Sequence, residues 1–335
     1  MKRRSSFLAA FAVALGALVT PTPAQAGLPP VLYDQVAQDR EFVRWLSVQD
    51  PRAAVRSRAR GALVNGGEAG ITAFLFPTVL PSGEIKPSGF DAGAAQAADT
   101  RTRQTDYAAR MATTHPAQFY PWVNAAARRA QAGTEAELAE FASTGYTAAL
   151  NKDNAKIPYD DGAALVTPFD RAFVANLAVS DESDQVRDRA ENVVTDADVA
   201  EFLRYGWLSA AGIDNEAFRS AYVADEWARW HEARRLIGVA LTADEADARG
   251  AWQNVAAVTV PARDAWAERE PVAKIRMDAW LLASATAESQ SNALWSNLVT
   301  KAPPMRTQWR NEGSNVAARL TWWNNLKQLA FAYAG

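Results

Sequence analysis

A stretch of the chain repeats itself without a gap. From Asp39 the sequence reads DREFVRWLSVQDPRAAVRSRA, and from Asp170 it reads DRAFVANLAVSDESDQVRDRA. Eleven of the twenty-one positions are identical, among them Asp39 with Asp170, Phe42 with Phe173, Leu46 with Leu177, Asp50 with Asp181, Val55 with Val186 and Ala59 with Ala190. Two unrelated alanine-rich helices would not hold Asp, Arg, Phe and Leu in one register, so the match reads as an internal duplication. Phe42, Val43 and Leu46 share one face of a first helix. Asp50 and Asp181 are placed to cap a second helix, with Pro51 in its first turn. That second helix carries Val55, Ala59 and Leu63 in one copy and Val186, Ala190 and Val193 in the other. A third helix follows a short turn, with a core of Ile71, Phe74 and Leu75 or of Val199, Phe202 and Leu203.

A middle copy is visible in Val123, Ala127, Ala130, Leu138, Phe141 and Gly145-Tyr146, which parallel Val186, Ala190, Val193, Val199, Phe202 and Gly206-Trp207. Units of this kind bury their apolar faces against their neighbours. Strand signals are poor. Amphipathic windows rich in alanine, leucine, arginine and glutamate predict an all-α fold of degenerate helix-turn-helix repeats. Thr134, Thr195 and Thr242 each precede acidic residues as helix starts do. Two stretches read as exposed loops, Pro77 to Gly93 and Asn151 to Asp161. Each follows a repeat's phenylalanine helix, and loops recurring at one place per repeat tend to share a binding face.

From about residue 215 the pattern changes. Trp252, Trp266, Trp280, Trp295, Trp309 and Trp323 are spaced by fourteen or fifteen residues, close to two heptads. Pro261, Pro271 and Pro303-Pro304 argue against a single rod. The expectation is a C-terminal bundle of three or four helices with tryptophans in its seam. The domain reading is therefore a signal peptide at 1–26, a repeat domain at 27–215 and a helical bundle at 216–335.

The signal peptide rests on Lys2, Arg3 and Arg4, an apolar run from Phe7 to Val19, and Ala24-Gln25-Ala26 as a small-x-small cleavage site before Gly27. The chain is thus expected to be secreted by a Sec-type route, with no membrane span once cleaved at Ala26 and Gly27. It has no cysteine, so its stability must come from its core, and thiolate metal sites and cysteine nucleophiles are excluded. A net charge of -3 argues against a nucleic-acid partner.

Chemistry-bearing motifs are scarce. Only His115 and His231 are present, and no HExxH, G-x-S-x-G, P-loop or dinucleotide fingerprint occurs. The reading is therefore of no catalytic residue, cofactor or metal. Asp160-Asp161-Gly162 is the strongest carboxylate cluster, but it lacks the ligand spacing of an EF-hand and reads as a solvated turn. The arginines at 52, 56, 58, 60, 128 and 129 could dock a wall polymer or an acidic partner, or form a solvated face.

The stretch Val186-Arg187-x-Arg189-Ala190, Val199-Ala200-Glu201-Phe202-Leu203 and Gly206-Trp207 resembles the ALF repeats, short alanine-leucine-phenylalanine motifs of secreted actinobacterial proteins. Val123 to Tyr146 and Val55 to Leu75 are similar, although Thr78 replaces the glycine in the latter. The resemblance covers residues 39 to 215. It implies no general enzymatic role. It implies instead a part in assembly, since such repeats form the hub of umbrella-shaped toxin particles to which adaptor and lectin subunits attach. This chain lacks the length of such a hub, its stalk and an evident toxin domain. The expected function is a secreted scaffold or adaptor that binds a protein or cell-surface partner, with Trp207, Arg204, Tyr146, Asp160 and Asp161 as candidate interaction residues. The alternatives are an extracellular enzyme or toxin component with its site in the acidic loop, and a self-assembling structural protein.

Overall fold

The computed structural model describes residues 33–290 and 292–335. The expected signal peptide and its cleavage site at Ala26 and Gly27 lie outside these residues. The fold is all-α, and among the described residues the only strands are two-residue segments.

The first copy consists of α1 (Gln35–Gln49), α2 (Ala53–Asn65) and α3 (Gly67–Leu75). The second comprises α4 (Gly89–Thr114), α5 (Pro121–Gln131), α6 (Glu135–Glu140) and α7 (Tyr146–Asn154). The third comprises α8 (Pro168–Ser180), α9 (Asp184–Glu191), α10 (Asp196–Glu201) and the long α11 (Trp207–Thr242). In the second and third copies a single wide π turn, Phe141–Gly145 or Phe202–Gly206, joins the third helix to the next without a break. The first copy has no such turn. Pro77 follows Phe76 there, and proline cannot continue a helix.

Most of the duplicated apolar residues are buried in both copies. Phe42, Val43, Leu46, Val55 and Ala59 are buried, as are Val174, Leu177, Val186 and Ala190. Asp50 and Asp181 do not cap the second helix. The preceding residues of that helix are Arg52 and Ser183, and each aspartate instead accepts from the backbone N–H two residues on, at 2.8 Å in both copies. Pro51 accordingly lies outside α2. Arg56 and Arg187 donate to the backbone carbonyls of Asp50 and Asp181 at 2.7 and 2.6 Å. The duplication therefore preserves an aspartate turn (the short side chain mimicking a backbone bend) and its arginine clasp.

Thr134 and Thr195 form reciprocal caps with Glu137 and Asp198. Thr167 does the same with Asp170. Thr242 instead ends α11, and Asp244 caps the following helix. The loop expected from Pro77 to Gly93 holds a small antiparallel hairpin, β1 (Thr78–Val79) and β2 (Ile85–Lys86), before Ser88 caps α4. Within α4, Gly93 lets the helix lie against α2, since a Cβ there would sit 2.9 Å from the Cα of Val55. α7 runs to Asn154, so the second expected loop begins later than Asn151.

The C-terminal part comprises α12 (Glu245–Ala267), α13 (Arg269–Ser289) and α14 (Ser296–Ala334), packed against α11 and one another. All six regularly spaced tryptophans are buried. The prolines do not break these helices: Pro261 lies inside α12, and Pro303 and Pro304 lie inside α14, while Pro271 sits in the first turn of α13. An interior proline costs about 3 kcal/mol. Full burial of one tryptophan is worth about 4 to 6 kcal/mol as an upper bound. Trp266 and Trp309, each five residues beyond a proline, offset that cost.

The boundary expected between residues 215 and 216 falls within α11, and residues 35–335 form one compact unit. Asp39 accepts from the Arg234 guanidinium at 3.0 Å, while Trp45 Nε1 donates to Asn315 Oδ1 at 2.6 Å. In the third copy Asp170 accepts from Trp295 Nε1 at 2.8 Å. Deeper still, the buried Glu226 carboxylate accepts from Trp266 Nε1 at 2.5 Å and Trp323 Nε1 at 3.1 Å, and pairs with the buried Arg319. Glu312 pairs with Arg219 at 2.6 Å and accepts from Tyr222. Each carboxylate thus meets a guanidinium and at least one neutral donor, which offsets the cost of burying its charge.

Candidate functional site

A groove of about 730 Å³ runs between the second and third copies. One wall is α5, with Asn124, Ala125, Arg128 and Arg129. The other is α9, α10 and the π turn, with Arg189, Val193, Ala197, Glu201, Phe202 and Tyr205. Tyr159 and Asp161, from the loop after α7, also line it.

A polar tie crosses the groove. Arg129 reaches from α5 to Glu201 on α10, with Nε to Oε1 at 2.5 Å and Nη2 to Oε2 at 2.6 Å. This is the two-pronged geometry that makes arginine-carboxylate pairs directional. Nη2 also donates to Tyr159 Oη at 3.0 Å, and the guanidinium stacks over the Tyr205 ring at 3.8 Å. Burial opposes the Arg129 charge, but Glu201 holds its pKa above the ordinary arginine value. Burial raises that of Tyr159.

Arg189 makes a second tie. It donates to the Gly206 carbonyl at 3.1 Å and to the Ala132 carbonyl, past the end of α5, at 2.5 Å. It has no carboxylate within hydrogen-bond distance, and burial lowers its pKa against the pull of Glu137 and Glu201. Asp198 spends its carboxylate on Thr195 and its own helix start, which lowers its pKa.

The expected interaction residues separate. Asp160, Asp161 and Arg204 come together beside the groove. Asp160 accepts from Gly162 N–H at 2.8 Å, and its carbonyl accepts from Arg204 at 3.0 Å. Gly162 adopts a left-handed φ of 82°, and a Cβ there would lie 2.6 Å from Cζ of Arg204. Asp161 accepts from Ala163 N–H at 2.9 Å. Trp207 is instead in the core, stacked with Trp280 at 6.0 Å. Tyr146 packs among Tyr107, Phe141 and His115.

Neither histidine joins the acidic loop. His115 Nδ1 bonds the Met111 carbonyl at 3.1 Å, and Nε2 lies 3.4 Å from Tyr146 Oη. His231 packs against Trp227, Trp230 and Phe76. Burial lowers its pKa; Asp91 opposes the shift and Arg234 adds to it. Among the described residues, no group of three or more His, Cys, Asp or Glu is placed to hold a metal ion, and no helix is long and apolar enough to cross a membrane.

Most of the arginine-rich face is also committed. Arg52 pairs with Asp50, Arg56 clasps backbone carbonyls and Arg58 bonds Gln96. Sequence reasoning missed Tyr159, Glu201 and Tyr205. Arg189 carried a signal, because it is identical to Arg58 in the duplication. Glu201 carried none, since its partner lies 72 positions away.

No family model, curated protein or solved structure matches the chain.

Proposed function

We propose that this protein is a secreted helical-repeat adaptor, of the kind that the ALF-like motifs suggest, which binds a protein or cell-surface partner through the groove between its second and third copies. The observation that supports it is the groove's composition. It is open and pocket-sized, its polar groups are held in place by the Arg129–Glu201 and Arg189 ties, and Arg128 stands exposed on its wall. Sites with apolar walls and a few fixed polar groups are the usual form of a binding surface. The candidate loop residue Asp161 lines that groove, and Asp160 and Arg204 flank it.

The purified chain, immobilised, is incubated with the culture supernatant and cell-wall fraction of the organism that makes it. The expected result is saturable capture of a discrete partner that Ala197→Trp, which fills the groove, abolishes while leaving the circular dichroism spectrum unchanged. Capture of nothing from either fraction contradicts the adaptor reading.

A further inference from the structure

The groove's arginines and carboxylates differ in what they hold. Glu201 is paired with Arg129, while Asp198 and Asp161 each accept through one carboxylate oxygen, from the Thr195 helix start and from Ala163 N–H. Arg129 and Arg189 are engaged as well. Among the described residues, Arg128 is exposed and its side chain has no hydrogen bond, ion pair or ring contact. It stands one turn before Ala132, the carbonyl that Arg189 holds. The Tyr205 hydroxyl has no hydrogen bond either, and the Tyr159 hydroxyl accepts from Arg129 with its own proton still to donate. The groove thus offers a full guanidinium and two phenolic hydrogens. Between them lie apolar surfaces of Ala125, Val193 and Ala197.

This chemistry calls for acceptors on an apolar carrier. Resting on the adaptor reading above, we propose that the groove takes an acidic, aliphatic polypeptide segment of a partner protein, with a carboxylate of that segment paired to Arg128. Charge complementarity at Arg128 and aliphatic packing on the wall carry the assignment. A glycan fits less well. Sugars stack on open aromatic faces, and here Tyr205 is covered by Arg129 while Tyr159 meets Trp122 edge-on at 5.0 Å.

The test is selection of displayed random peptides on the purified chain, followed by fluorescence anisotropy with the best peptide. Enriched sequences should carry Asp or Glu next to Leu, Ile or Val. Arg128→Gln in the protein, and Glu→Gln in the peptide, should each weaken binding about tenfold, and the double change should cost little more than either one. Arg128→Glu should redirect selection to Lys or Arg. Arg128 is exposed, so these variants should fold, as circular dichroism will verify. Enrichment without acidic residues, binding indifferent to Arg128→Glu, or displacement of the peptide by neutral wall-glycan fragments would each overturn the proposal. If the chain captures a partner from the supernatant or wall and Arg128→Glu leaves that capture unchanged, this inference fails while the adaptor reading stands. If it captures nothing, both fall.

Discussion

The first and third copies carry the same residues at the same register and use them against different partners. Asp39 meets a guanidinium, that of Arg234, and Asp170 meets the indole N–H of Trp295 while capping its own helix. Phe42 stacks on Trp230 at 4.4 Å, whereas Phe173 meets Trp295 edge-on at 5.0 Å. The duplicated face is a general docking surface of acid and aromatic ring, and residues beyond 215 supply a separate counterpart for each copy, α11 for the first and the turn before α14 for the third. The second copy meets Trp227 through Phe90, at the start of α4, stacked at 3.8 Å, while its α5 is turned away from those tryptophans towards the third copy and faces the groove.

The largest effects should come from the rings. Phe42 is buried against Trp227, Trp230 and Trp45, while Phe173 is half-buried. Phe42→Ala should cost about 4 kcal/mol in denaturant unfolding and Phe173→Ala about 2. Equal costs would mean that the two copies dock alike. The acids should reverse the order. Asp170→Ala removes a helix cap and strands the buried Trp295 N–H, for about 2 to 3 kcal/mol. Asp39→Ala leaves Arg234, which reaches water, and should cost about 1 to 2.

A smaller effect distinguishes the first copy by pH. His231 lies beside its Phe76, and burial lowers its pKa below the ordinary histidine value. The unfolded chain therefore binds this proton more readily, so stability is lost as pH falls through about 6.5 towards the folded value. The raised carboxyl of Asp39, also caused by burial, acts in the opposite sense. The difference in melting temperature between wild type and His231→Phe isolates the histidine. It should shift in favour of the wild type as pH rises from about 5 to 7, and Phe173→Ala should leave that trend unchanged. A difference independent of pH would remove His231 from the account.

Local features of this fold were legible in the sequence. The self-match located the buried residues of both copies, Thr134 and Thr195 start helices, and the regular tryptophans form the core. Local features with near-equivalent solutions misled. Asp50 and Asp181 could cap a helix or turn the chain, and the two-residue bond won. Thr242 and Asp244 could both start α12, and the nearer residue did. Prolines that stop an isolated helix were outweighed by buried tryptophan. The groove was not legible, because its ties join residues 30 to 72 positions apart. Trp207 illustrates the same limit. It belongs to the repeat motif, but its environment is set by Trp280 on another helix.

The docking of both outer copies onto the C-terminal helices makes one cooperative body of residues 35–335, despite the change in sequence character near residue 215. Differential scanning calorimetry of the purified chain tests this directly. The account predicts one transition, with equal calorimetric and van't Hoff enthalpies, that Phe42→Ala shifts as a whole. Two transitions, with Phe42→Ala moving only one of them, would contradict it.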